Sequence, residues 1–327
     1  MYREARNGMI TDSMIAQGDQ LGAQMSTLAE IIYLAEVNQQ EIVFWDELKN
    51  FRRGFQFLDV FECNGIKIIS GDNKAICAIA SRIKRINTGN WKGNMKKAYF
   101  SRFDRYKDRL LYELIRCAHK DFERKKNLCG GKHCDASLLT LNPGRSYDIV
   151  DGFGTYQDWK KSGDRVKSVF TFKKSIAEEG DRLFNNLELK GMKPVSVHFR
   201  LADYLVLASL NLSLDYYKKA MQYFDDSKTV YIVFSDEINK VKNLFSEELD
   251  NKSVIYMDES NSAAMDMYLM TKCSGGNIIA NSTFSFWGAY LNKSPDKKVI
   301  CPKNFVGENT SVNYINGNYY PENWIAL

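Results

Sequence analysis

Three side chains able to manage negative charge and a proton fall within six residues: His198, Arg200 and Asp203, in Val195-Ser-Val-His-Phe-Arg200-Leu-Ala-Asp203. Arginine presents a planar, permanently charged fork that matches phosphate oxygens. A carboxylate or an imidazole beside it can accept the proton of an attacking hydroxyl. A second pair, Ser235 and Asp236, follows an apolar run, and a third group, Asn281-Ser282-Thr283-Phe284-Ser285, precedes a helical stretch. Hydroxyls at a helix start, together with its unpaired N–H groups, make a seat for phosphate. Read together, the three groups describe a site for a nucleoside diphosphate. Each also has a structural use. Arg200 can be an ion-pair partner at an interdomain interface, and Asp203, Ser235, Asp236, Ser282, Thr283 and Ser285 can all cap helices. Capping and ligand contact are not exclusive.

Such residues need a frame to bring them together, and the second half of the chain supplies one. Short apolar runs at 195–200, 229–234, 253–256, 277–280 and 298–301 alternate with helical stretches at 214–223, 237–249, 262–273 and 285–291. Strands alternating with helices imply a parallel sheet covered on both faces. In such a sheet ligands lie beyond the carboxyl ends of the strands. Arg200 with Asp203, Ser235 with Asp236, Asp258, and residues 281–285 all follow strands, so one sheet edge collects them.

The first half is less regular. A weak strand at 14–16 leads into Gly18-Asp-Gln20-Leu-Gly22-Ala-Gln24, a turn that opens a helix through Leu28 and Leu34. A glycine-rich strand-to-helix turn can contact a sugar or phosphate, though one such turn has low specificity. Further strands are expected at 42–44 and 67–70. A basic helix follows, then the aromatic, glycine-rich loop Gly152-Phe-Gly154-Thr-Tyr-Gln157, then a helix over 173–189. Residues 191–194 hold a glycine and a proline and form the expected boundary between domains 1–191 and 192–327.

Composition bounds the function. The 327 residues favour two domains, and 44% hydrophobic with 26% charged residues describes a chain that buries a core. No run of 18 apolar residues occurs and the start has no apolar signal-peptide core, so a soluble cytoplasmic protein is expected. Seven scattered cysteines do not form a secreted disulfide framework. Cys129-Gly-Gly-Lys-His133-Cys134 matches no common zinc spacing and reads as a glycine-containing loop. The net charge is +5, yet residues 92–126 hold twelve Lys and Arg against five acids. Within them Phe103, Tyr106, Leu110, Leu114 and Cys117 recur at helical steps. That segment reads either as the solvated face of a packed helix or as a patch for an anionic surface, which would bring the chain to the cytoplasmic face of the inner membrane. No nucleic-acid motif is present.

Taken in order, the motifs resemble the bacterial α-1,2-fucosyltransferases that glycosylate O-antigen and capsule precursors. The family's H-x-R-R-x-D-Y is similar to His198-Phe-Arg200-Leu-Ala-Asp203-Tyr204, and its F-S-D-D to Phe234-Ser-Asp-Glu237. Its I-I-A-N-S-T-F-S-W-W-G-A-Y-L matches Ile278-Ile-Ala-Asn-Ser-Thr-Phe-Ser-Phe-Trp-Gly-Ala-Tyr-Leu291 with one change. The N-terminal G-N-Q motif corresponds to residues 18–35, and G-Y-F-Q to Gly154-Thr-Tyr-Gln157.

The resemblance implies a two-domain α/β fold of the GT-B type, two Rossmann-like domains facing a cleft. It also implies inverting transfer of L-fucose from GDP-fucose to the 2-hydroxyl of a galactose-like acceptor, an oligosaccharide linked to lipid, with no metal and no other cofactor. No Asp-x-Asp pair occurs in the chain. On this reading Arg200 and the 282–285 turn meet the diphosphate, and Ser235 and Asp236 contact the nucleoside. Asp203 is the first proton acceptor and His198 the second. Asn281 and Phe284 belong to the donor motif, while Gly18, Gln20, Gln24 and Gln157 face the cleft from the N-terminal side. Four departures stand out: Leu201 for the second arginine, Asp19 for asparagine, Glu237 for aspartate and Phe286 for tryptophan. Leu201 and Asp19 keep open another GDP-deoxyhexose donor, such as GDP-colitose, or a catalytically silent sugar-binding member of the fold. A basic membrane- or nucleic-acid-binding protein with an incidental sheet is the third class.

Overall fold

In the computed structural model, residues 8–16, 20–49, 53–71, 75, 78–79, 102–126, 139–150, 154–201, 212–224, 226–244, 252–305 and 319–327 are described, with 102–108 by backbone only. Two parallel sheets organise them. The first runs β3 (Ile66–Ile69), β2 (Glu41–Trp45), β1 (Met9–Thr11), β5 (Ser146–Val150), β4 (Phe122–Lys126). The second runs β11 (Ile325–Ala326), β10 (Lys298–Cys301), β9 (Gly276–Ile278), β6 (Lys193–Phe199), β7 (Thr229–Ser235), β8 (Ser253–Tyr256). In both, the first strand lies inside the sheet and the winding reverses beside it: between β1 and β5 in one, between β6 and β9 in the other. This is doubly wound topology, and the reversal opens a crevice at the carboxyl edge. The expected pair of Rossmann-like sheets facing a cleft is what the chain forms.

The strands of the second sheet are covered on both faces. In β6 every residue after Lys193 is buried, which is why Pro194-Val-Ser-Val-His-Phe199 reads as a continuous run rather than an alternation. A buried polar network pins β9 beside β6. The Asn277 amide donates to Ser196 Oγ at 2.6 Å and to the Met270 carbonyl, and Asn292 donates to Asn277 Oδ1 at 2.9 Å. The crevice therefore has a fixed floor.

Helix α1 (Leu21–Val37) is apolar nearly all round, as befits a helix buried on every side. The short helix α2 (Gln56–Val60) follows β2 and buries Phe57 and Val60. One continuous core joins Leu28 and Ile32 of α1, with Phe44 and Trp159, to Met267, Phe286 and Trp287 of the second half. Trp159 stacks on Trp287 at 5.3 Å, and Trp287 Nε1 donates to Ser26 Oγ of α1 at 3.2 Å. The C-terminal tail closes the seam: Tyr319 stacks on Phe305 at 3.7 Å, and Glu322 pairs with Lys160 at 2.5 Å.

Several expectations shift. The first strand is Met9–Thr11, not 14–16; there the Asp12 carboxylate accepts the Met14 and Ile15 N–H groups and turns the chain. Strands β4, β5 and β11 were not legible as strands. The stretch at 122–126, Phe-Glu-Arg-Lys-Lys, is a charged edge strand, and such charge protects an edge from pairing with another chain. Gly18, Asp19 and the Cys129 to Cys134 cluster lie outside the described residues. The basic segment enters as α3 (Arg102–Ala118) and β4, with Leu110 exposed. No described helix is long and apolar enough to cross a membrane.

Candidate functional site

Arg200 leaves the carboxyl end of β6, and residues 281–285 leave β9, so the two stand on either side of the reversal. The strand end is anchored by Tyr217, whose hydroxyl donates to the His198 carbonyl at 3.1 Å. Helices α4 (Tyr156–Trp159), α5 (Gly163–Val169), α6 (Lys174–Asn185), α7 (Leu214–Gln222), α8 (Ile238–Leu244) and α9 (Ala263–Thr271) pack around the two sheets. Helix α10 (Thr283–Tyr290) starts at the carboxyl edge, and its Ser282 makes no side-chain capping bond, so the N–H groups of its first turn lack an intrahelical acceptor.

A cleft of about 800 Å³ opens here, within the range that holds small ligands. From the second half it is lined by His198, Arg200, Ser235, Asp236, Ser282, Thr283 and Phe284, together with Glu259, Asn261 and Asp266. From the first half come Gln20, Gly22, Arg53 and Gln56. The two helix starts meet at its base. A Cβ on Gly22 would lie 2.6 Å from the Phe284 nitrogen and 2.7 Å from Thr283 Oγ1, so only glycine permits the approach of α1 to α10.

Arg200 is not bare. Its guanidinium pairs with Asp236 Oδ2 at 2.8 Å, and Asp236 Oδ1 accepts the Leu201 N–H at 3.0 Å. The ion pair lies within one half of the molecule and orients the arginine at the cleft wall. Ser235 Oγ accepts the Glu237 N–H at 3.0 Å, and Glu259 accepts the Ile238 N–H at 2.6 Å, so α8 is capped from the next loop. Leu201 is half-buried, packs against the core of the second sheet, and does not line the cleft.

His198 is buried, with its ring 5.5 Å from that of Phe284 and its Nδ1 without a partner among the described residues. Burial, with the Arg200 charge adding to it, pushes its pKa down to about 3. The ring is neutral at neutral pH and is a poor proton acceptor, which argues against the base role and for a hydrogen-bonding one. Asp203, the first proton acceptor expected from the sequence, lies outside the described residues.

Four expected site residues are placed elsewhere. Ser285 is fully buried, its hydroxyl 3.4 Å from the Ala280 and Ser282 carbonyls, because this position in the first turn of α10 points inward. Asn281 is buried beneath the turn, off the cleft wall. Gln24 is buried and holds a loop: its amide donates to the Gly54 carbonyl and accepts from the Gln56 N–H, both at 2.9 Å. Gln157 is at the surface, donating to Glu322 at 2.8 Å. The Gly154 stretch is structural: a Cβ there would lie 2.7 Å from Glu30 Cβ, and Thr155 and Asp158 cap α4 reciprocally.

Sequence reasoning missed Asp266 and Arg53. Asp266 sits in the first turn of α9, accepts from Asn261 at 3.1 Å, and has its pKa pushed up to about 6, mainly by burial. Its only signal in the sequence was its position at the start of a helix that follows a strand. No cluster of three or more metal-ligating side chains occurs among the described residues.

The chain is 38% identical over 137 residues to the O-antigen biosynthesis glycosyltransferase WbnK of Escherichia coli, 39% of this chain and 45% of that protein. It is 31% identical over 140 residues to an alpha-1,2-colitosyltransferase of Escherichia coli, 41% of this chain and 47% of that protein. The chain thus spans about half the length of the curated relatives it matches. Among solved structures, POFUT1 in complex with GDP-fucose aligns over 92% of this chain and 99% of that one, with 11% identity and a TM-score of 0.49. The model of glycosyl transferase family 11 matches residues 156–327, more than half of the chain and all of the second sheet with its cleft-lining turns, and the chain belongs to that family.

Proposed function

We propose that the protein is an inverting glycosyltransferase that moves L-fucose, or a closely related GDP-linked deoxyhexose, to the 2-hydroxyl of a galactose-like unit in a lipid-linked O-antigen or capsule oligosaccharide. The observation that carries this reading is the facing of Arg200 and the open start of α10 across the reversal of the second sheet. A guanidinium and a set of N–H groups at one crevice suit a diphosphate leaving group. They hold the growing negative charge on the β-phosphate more strongly than the ground-state ester, which is what lowers the barrier. The acceptor oxygen bonds to the anomeric carbon as the bond to GDP breaks, and its proton passes to Asp203. No metal is assigned to this step. His198 and Asp266 also line the cleft, where a neutral imidazole and a carboxylate suit the hydroxyls and N–H donors of a guanosine.

The colitose donor remains the second reading, favoured by the name of one curated relative. The silent-member reading rests on Leu201, which is half-buried against the core of the second sheet, and on Asp19, which lies outside the described residues. The basic segment 92–126 is proposed to face an anionic inner-membrane surface.

Calorimetric titration with GDP, UDP and CMP in EDTA tests the donor assignment. Selective binding of GDP is expected; equal binding of all three, or none, overturns it.

A further inference from the structure

Arg53 carries a charge that nothing in the described protein uses. Among the described residues the C-terminal wall of the cleft brings a single guanidinium, Arg200, and that one is already paired with Asp236. The neighbouring position is the half-buried Leu201, which brings no charge. Asp236, Glu259 and Asp266 also line the cleft, so the described side chains of the second half offer a dianionic diphosphate more negative than positive charge. Across the cleft, Arg53 is exposed and makes no ion pair among the described residues.

Its backbone is held in a built loop. The Arg53 N–H donates to the Ala16 carbonyl at 3.2 Å, and the buried Gln24 amide clamps Gly54 and Gln56 at 2.9 Å each. Gly54 has φ of +65°, and a Cβ there would lie 2.4 Å from the Lys49 carbonyl, so the loop depends on glycine. These contacts fix the backbone from which the arginine reaches the cleft, and Gln24, one of the N-terminal residues singled out by sequence, acts through it.

We propose that Arg53 supplies the second cation of the donor site, closing over the diphosphate from the N-terminal domain opposite Arg200 and the start of α10. This rests on the GDP-sugar reading above. It makes diphosphate binding a contact shared by both halves, and the Gln24 clamp then serves to present a guanidinium.

Calorimetry with GDP, GMP and guanosine on the full chain tests it, using wild type, Arg53→Ala and Arg53→Lys. GDP affinity falls about ten- to a hundredfold in Arg53→Ala, the scale of losing charge-assisted hydrogen bonds. Guanosine binding stays as in wild type, and Arg53→Lys recovers part of the loss because a point charge lacks the fork. Raising salt narrows the difference between wild type and Arg53→Ala. Unchanged GDP affinity in Arg53→Ala, with a raised KM for acceptor, would assign Arg53 to the acceptor and overturn the proposal. An equal loss for guanosine would overturn it too, since the arginine would then be holding the fold or the base. Wild type that binds no GDP overturns the donor reading itself, a result distinct from either.

Discussion

The molecule holds two sheet reversals of the same kind, and they are finished in opposite ways. At the first, between β1 and β5, the carboxylates are spent on neighbouring groups, although Thr11 Oγ1 is buried without a partner among the described residues. Asp148 accepts the Ser13 N–H at 2.9 Å and the Ser13 hydroxyl at 2.7 Å, while Asp12 accepts two N–H groups of its own turn. Burial raises the pKa of both carboxyls. At the second, between β6 and β9, the start of α10, like that of α1, has no side-chain cap, His198 keeps an Nδ1 without a partner among the described residues, and Arg200 stands at the wall of a cleft of about 800 Å³. Topology alone makes a crevice; a cationic side chain at the wall of an open cleft is what sets the second apart.

Replacing the central group at each reversal breaks this contrast most sharply. Arg200→Ala lowers transfer by about 10²–10³ or more, the scale of losing a donor to a developing oxyanion, while thermal unfolding stays close to wild type. An activity assay beside a melting curve reads both. Asp148→Ala does the reverse. It strands the buried Ser13 N–H and leaves the Ser13 hydroxyl only its bond to Tyr112, costs about 2–4 kcal/mol of stability in denaturant titration, and leaves GDP affinity of the folded fraction near wild type. If Asp148→Ala also removed GDP binding at full folding, the two reversals would not be separable.

Asp266 sharpens the comparison through pH. Its folded pKa of about 6 lies above the ordinary aspartate value, so this group stabilises the fold as pH falls from about 6 toward 4. Ligand binding runs the other way, because protonation removes the charge that accepts N–H donors. GDP affinity should fall about three- to tenfold between pH 7 and pH 5, and Asp266→Asn should flatten that slope. The smallest effect is expected at Gln157, whose surface bond to Glu322 lies away from the cleft. Gln157→Ala should leave transfer unchanged and shift stability by no more than about 0.5 kcal/mol.

The same contrast explains what the sequence could reveal. Strands of the second sheet are β-branched runs separated by helices, and β8 and β10 fall on the expected residues 253–256 and 298–301. Polar residues after those strands mark the site, so Arg200, Ser235, Asp236 and the 282–284 turn were legible. The first sheet hid itself. Its strand β1 has three residues, and β4 is charged because it lies at an edge, so neither carries a hydrophobic signature. Gln24 and Gln157 look alike in sequence as polar residues near glycines. One is buried as a clamp and the other exposed, and tertiary packing alone separates them. Arg53 was invisible because nothing in its neighbourhood shows that Gln24 reaches across 30 residues to fix the loop.

The central claim is that the reversal beside β6 holds a diphosphate, and a structure of the protein crystallised with GDP tests it most directly. The account predicts the two phosphates within hydrogen-bonding distance of the Arg200 guanidinium and of N–H groups in the first turn of α10. Phosphates seated at the first sheet's reversal, or GDP bound with Arg200 still turned only to Asp236, would contradict it.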